Sequence, residues 1–115
     1  MEFFELSDFD CPCCGKNNMD DNFLRALDRA RGISGVPFNI NSGCRCKAHN
    51  EAVGGSETSS HLTGHACDIS ATNSSQRFKI VAGLLMAGLK RIGIRKDFIH
   101  VDDDFGKAKE VLWLY

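Results

Sequence analysis

Along the chain, hydrophobic and polar positions change period several times, and each change predicts an element. From Asp20 the pattern is helical: Asp20 and Asp21 supply an N-cap and a first-turn acid, Phe23, Leu27 and Ala30 recur at helical spacing, and Arg29, Arg31 and Gly32 form a stop signal. Phe38-Asn39-Ile40-Asn41 alternates like a half-buried strand and ends at Ser42-Gly43. Arg45 to Val53 reads as a short helix closed by Gly54-Gly55, a pair that permits a positive-φ exit. Ser56 to Ser60 is a polar loop, and Ala66 to Ala71 alternates as a strand with Ala66, Asp68 and Ser70 on one face. Asn73, Ser74 and Ser75 offer caps for the longest helix, in which Phe78, Val81, Ala82, Leu85 and Leu89 make an apolar stripe up to Lys90. Ile92-Gly93-Ile94, Phe98 to Asp102 and Val111 to Tyr115 complete the chain as short strands. Ahead of all these, Met1 to Met19 has little periodicity and reads as a turn-rich arm carrying Cys11-Pro12-Cys13-Cys14-Gly15.

Helices and strands do not alternate as parallel βαβ units, so the expected fold class is α+β, with a small antiparallel or mixed sheet and helices on one face. A chain of 115 residues, 43% of them hydrophobic, has room for one domain, 1–115, with residues 1–19 as its Cys-rich N-terminal arm. The 14 Lys and Arg balance 15 Asp and Glu, with no basic block and no interleaving of basic and aromatic residues. That composition gives no electrostatic footprint for nucleic acid. No apolar run approaches the roughly 20 residues needed to span a bilayer. The start, Met1-Glu2-Phe3-Phe4-Glu5, is acidic where a secretory leader would be basic. The chain is expected to be made in the cytoplasm without a signal peptide and to be a monomer.

The candidate chemistry lies in the second half. His61 and Asp68 flank the turn-prone pair Thr63-Gly64, and a chain reversal there could bring imidazole and carboxylate together. His100 sits in the apolar strand Phe98-Ile99-His100-Val101, where a buried histidine needs a partner. Asp68, between Cys67 and Ile69, needs a compensating cation, and one Zn²⁺ answers both demands. Two His and one Asp leave the fourth tetrahedral position open, the arrangement of a catalytic zinc. The rival pair His61 and His65 has the i, i+4 spacing of a helical zinc motif. Gly64 interrupts it, however, and no Glu follows His61. His65 is therefore read, with Ser59, as a candidate support for the ligands or as an exposed group.

These residues also form a compound pattern. Ser42-Gly43-Cys44-Arg45, Asn50, Val53-Gly54-Gly55, Ser59-x-His61-x-x-Gly64-x-Ala66-x-Asp68 and Phe98-Ile99-His100-Val101-Asp102 resemble the zinc D-alanyl-D-alanine carboxypeptidase and L-alanyl-D-glutamate endopeptidase family. The likeness runs from about Phe38 to Tyr115, and the Cys-rich arm and the ending Trp113-Leu114-Tyr115 look like its small phage and prophage members. The resemblance implies the hedgehog/DD-peptidase fold, one zinc held by His61, Asp68 and His100, and hydrolysis of a bond in the peptidoglycan stem peptide or cross-link. A phage endolysin-type endopeptidase acting on the wall after release is the leading expectation. A D-alanyl-D-alanine carboxypeptidase and a non-catalytic zinc-binding phage assembly module are the alternatives. In many members the general base stands three residues before the last histidine, which here is Asp97. Within a regular strand, though, Asp102 shares the face of His100 and Asp97 does not, so the two compete. Arg45 matches the family arginine, suited to a substrate carboxylate or a developing oxyanion. Where some members carry another histidine, five residues before the last, this chain has Arg95.

The six cysteines remain. Cys11-x-x-Cys14 with Cys44-x-Cys46 could make a Cys₄ zinc site, but buried thiols, or a Cys14 to Cys46 type disulfide formed in an oxidising space, are preferred on sequence.

Overall fold

The computed structural model describes residues 1–115. Strands β1 (Ile40–Ser42), β2 (Ala66–Ser70), β3 (Arg91–Ile94), β4 (Phe98–Asp102) and β5 (Val111–Leu114) form one sheet in the order β1-β2-β4-β3-β5. Every pairing is antiparallel except β3 with β5, so the sheet is mixed. Helices α1 (Asp21–Ser34) and α3 (Ser74–Met86) cover one face, over Cys67, Ile69, Ile92, Ile99 and Val101. The fold is α+β, as the absence of βαβ alternation predicts. The opposite face carries Asp68, His100, Asp102 and Trp113 and is left for chemistry.

The element ends differ from the sequence reading for local reasons. The α1 N-cap is Asp20, whose side chain accepts from Phe23 N–H, but the helix runs through Gly32 and stops at Gly35, which takes φ 72°. β1 begins two residues late, and Phe38 is spent in the core just ahead of it. A second short helix, α2, spans Lys47–Ala52 with Cys46 as its cap, which leaves Arg45 outside the helix.

The α3 stripe is the main correction. Phe78 is 75% exposed and Leu85 49%, while Ile80, Gly83 and Leu84 are buried. The helix is rotated because Gly83 faces α1 at close range: a Cβ there would lie 2.6 Å from the Ala30 carbonyl oxygen. Backbone proximity of this kind outweighs a slightly richer apolar stripe, and hydrophobic periodicity does not register it. The helix also ends at Met86, before Lys90, and Leu89 is buried in the following turn. The arm contributes to the core directly, through Phe4 and Phe9, the latter closing a 3₁₀ turn over Leu6–Phe9.

Candidate active site

Local structure delivers each polar group to the open face of the sheet. His61 sits on a 3₁₀ turn, Ser60–Thr63, capped by Ser59, whose Oγ accepts the His61 N–H at 3.3 Å. Asp68 on β2 is registered directly opposite His100 on β4, and such cross-strand neighbours hold their Cβ atoms about 5 Å apart. Asp68 Oδ1 lies 3.0 Å from His100 Nδ1 and 3.4 Å from His61 Nε2. One ligand atom from each of the three falls within 4.8 Å of the others, and all three residues are buried.

The hydrogen bonds behind the imidazoles fix what faces the centre. His61 Nδ1 is 2.8 Å from the Gly43 carbonyl oxygen, which can only accept, so Nδ1 carries the proton and Nε2 presents a lone pair. His100 Nε2 is 2.8 Å from Asp102 Oδ2, an ionised carboxylate, so its proton is on Nε2 and Nδ1 presents the lone pair. Two nitrogen lone pairs and a carboxylate oxygen thus converge. Such a donor set repels itself unless a cation sits in it, and two N and one O suit Zn²⁺ with a fourth position open. Burial alone would raise the Asp68 pKa, but when no metal ion is bound and the imidazoles of His100 and His61 take up a proton toward it, they hold its carboxyl well below the usual range. Burial works against charge on His100, yet Asp102 and Asp68 raise its pKa. The pair of carboxylates favours a cation here, and a metal ion competes with that proton.

Asp102 is 1% exposed and fully engaged: Oδ1 accepts from Arg91 Nε at 2.6 Å and from Asp104 N–H at 3.2 Å. Burial pushes its pKa up, and the bonds from His100 and Arg91 more than reverse this. Arg45 places Nη2 3.4 Å from Asp68 Oδ2, Nη1 3.3 Å from Asn50 Oδ1 and Nε 3.2 Å from Ser42 Oγ. Asn50 in turn donates to Ser56 O at 2.8 Å, so α2 and the Gly55-Ser56 turn aim the guanidinium.

These groups border an open cavity of about 400 Å³. Its wall includes Arg45, Arg91, Arg95 and Lys107 beside the acids, with Phe98, Trp113 and Tyr115 as an aromatic side. The Trp113 ring packs against the His100 ring, tilted by 48° with centroids 5.6 Å apart, and its centroid lies 5.2 Å from the Arg91 guanidinium carbon. Arg91 and Trp113 escaped the sequence reading. Their signal, Arg91 opposite Asp102 across a strand pair and Trp113 beside Gly93, exists only once the β3 register is known.

The remaining candidates fall elsewhere. Asp97 lies on the bend between β3 and β4, 58% exposed on its side chain, with Oδ1 3.6 Å from Arg95 Nε; Arg95 lines the cavity and Asp97 does not. His65 pairs with Asp103 at 2.7 Å and groups with Asp20, apart from the His61 cluster. Ser59 lines the cavity. Cys11, Cys14 and Cys46 converge on the arm, whereas Cys44 does not join them: its thiol donates to Asn18 Oδ1 at 2.9 Å. No helix is long and apolar enough to cross a membrane.

A mixed sheet bearing a His₂Asp donor set in an open, polar cavity defines a candidate metal-binding site. Residues 4–102 match the family model Peptidase M15, and the chain belongs to that peptidase family. Its fold is similar to the crystal structure of Serratia marcescens L-Ala D-Glu endopeptidase ChiX, with a TM-score of 0.60 and 24% sequence identity, covering 77% of this chain and 83% of that one. No curated protein sequence matches it.

Proposed function

We infer that the protein is a zinc-dependent peptidase of the peptidoglycan stem peptide, an endopeptidase of the L-alanyl-D-glutamate type, acting on the wall as a phage or prophage lytic enzyme. The observation that carries this reading is the convergence of the His61, His100 and Asp68 lone pairs in an open cavity whose wall is rich in cations. M15 peptidases are zinc-dependent, and the fold likeness to an L-Ala D-Glu endopeptidase favours that bond. Stem peptides carry several free carboxylates, and Arg45, Arg95 and Lys107 suit them. The aromatic side suits the apolar faces of alanine residues.

His61, Asp68 and His100 would hold the ion. When bound, zinc supplies a Lewis acid that polarises the scissile carbonyl and acidifies an attacking water. Asp102 fixes the tautomer and orientation of His100 through Nε2. The Arg45 fork, steadied by Ser42 and Asn50, receives a substrate carboxylate or the developing oxyanion. Both Asp102 oxygens are committed, which leaves Asp97 as the general base: it stands outside the cavity wall, exposed on the bend beside the cavity-lining Arg95, and to take the proton of the water and return it to the leaving amine it would have to swing from Arg95 over the cavity when substrate binds. Digestion of purified sacculi followed by mass spectrometry of the fragments tests the reading. New N-terminal D-glutamyl peptides support it, release of D-alanine alone assigns a carboxypeptidase instead, and no fragments leave a non-catalytic module.

A further inference from the structure

A second group of metal-ligating side chains lies on the N-terminal arm, and none of its members lines the cavity. The segment Cys11-Pro12-Cys13-Cys14-Gly15-Lys16 is closed on itself: Gly15 N–H donates to Cys11 O at 2.8 Å and Cys11 N–H to Lys16 O at 2.9 Å. Gly15 makes the reversal at φ 73°, a conformation a side chain would resist. This closed turn brings Cys11 and Cys14 to the start of α2, where Cys46 stands as N-cap. The three sulfurs lie within 4.8 Å of one another. Cys13 stands outside this set of three, but it is exposed on the same closed turn, next to Cys14, and is the one further thiol the turn can offer as a fourth ligand.

The backbone is arranged for thiolates. Cys46 N–H points at Cys11 Sγ at 3.4 Å, and His49 N–H points at Cys46 Sγ at 3.4 Å. A neutral thiol or a disulfide sulfur is a poor acceptor and needs no such set of donors. Sulfurs at the corners of a tetrahedron with bonds of about 2.3 Å are about 3.8 Å apart, so small side-chain adjustments suffice to close the set on one ion.

We propose that Cys11, Cys13, Cys14 and Cys46 bind a second, structural Zn²⁺ as four thiolates, releasing their protons to solvent. Four protein sulfurs leave no open position, so this ion has no role in hydrolysis. It replaces Cys44 of the spacing-based set by Cys13 and displaces buried thiols or a disulfide as the account of these residues. Its function follows from where it clamps. Cys44 N–H bonds Phe9 O at 2.8 Å, and Gly43 approaches the Phe9 backbone so closely that a Cβ would lie 2.7 Å from its Cα. With Cys46 held as well, the segment bearing Gly43 O, the acceptor for His61, and Arg45 is fixed at both ends.

Zinc content and coordination of the full chain, purified under reducing conditions, test this. Two ions per chain are expected, with X-ray absorption showing sulfur and nitrogen/oxygen neighbours in about equal number. Cys13→Ser with Cys14→Ser, at exposed positions, should bring the count to one and remove the sulfur shell while the His₂Asp ion stays. His61→Ala should also bring the count to one but leave a sulfur-only shell. Because a variant can misfold, cobalt substitution of the unaltered chain gives a second readout, in which a thiolate-to-cobalt charge-transfer band is expected. One zinc with no sulfur neighbours, no such band, or an intact mass showing a disulfide among these cysteines overturns the proposal. If His61→Ala instead leaves both ions in place, the active-site reading fails and this one stands.

Discussion

Asp102→Asn is the most informative change at the centre, because it preserves shape and removes charge. The carboxylate meets three donors: His100 Nε2 at 2.8 Å, Arg91 Nε at 2.6 Å and Asp104 N–H at 3.2 Å. An amide has one oxygen and one NH₂. Arg91 cannot lose its proton, so the oxygen stays on the side of Arg91 and Asp104, and the NH₂ faces His100. Nε2 must then become an acceptor, which moves the imidazole proton to Nδ1, the atom that faces Asp68. A supporting residue of this kind is worth about 10- to 100-fold in metal affinity, or about 1.4–2.7 kcal/mol. Exchanging charge-assisted bonds for neutral ones costs about 1–2 kcal/mol of fold stability as well. Zinc affinity by chelator competition, and turnover at matched zinc occupancy beside Asp97→Asn, read this out. Asp102→Asn should lose zinc affinity and recover most of its turnover once loaded. Asp97→Asn should keep its zinc and lose about 10²- to 10⁴-fold in turnover. An Asp102→Asn enzyme with unaltered zinc affinity and a hundredfold slower loaded form would make Asp102 the base and refute the reasoning.

Three further outcomes are expected. Arg45→Lys loses the planar fork that meets Ser42, Asn50 and Asp68, and kcat/KM should fall about 10- to 100-fold, the equivalent of one charge-assisted hydrogen bond of about 1.5–3 kcal/mol; zinc content should not change. Gly83→Ala puts a Cβ 2.6 Å from Ala30 O, and the crowding, about 1–3 kcal/mol, should outweigh the helix gain of about 0.5–1 kcal/mol, lowering the urea midpoint. Asp104 accepts from Ser60 Oγ at 2.7 Å and Gly106 N–H at 3.0 Å near Lys107, which lowers its pKa below the ordinary 3.8. Its stabilisation is therefore present above pH 3.8 and is lost as pH falls through the lower folded value, so Asp104→Asn should flatten the acid limb of Tm against pH.

Much of this was legible in the chain because it is local. Asp20 and Asn73 cap their helices through their own side chains, and alternation over Ala66–Ser70 and Phe98–Asp102 puts Asp68 and His100 each on one face of its strand. The need of a buried imidazole and a buried carboxylate for a shared cation follows from residue type and burial alone, so the metal-ligand candidates could be named before any geometry. What required the tertiary structure is whatever depends on register or backbone approach. Only the pairing of β4 with both β2 and β3 brings Asp68, Asp102 and Arg91 around His100, and only the order of the sheet adds Trp113. The rotation of α3 is set by how near Gly83 lets α1 come, a steric fact to which hydrophobic periodicity is blind. Spacing alone paired Cys44 with Cys46, and in a regular strand residues two apart would share a face, but Gly43 to Cys46 is an irregular connection between β1 and α2, so no such rule holds there. Cys44 turns inward to Asn18 and Cys46 outward to the arm, where a fold of Cys11-Pro12-Cys13-Cys14 supplies the other sulfurs.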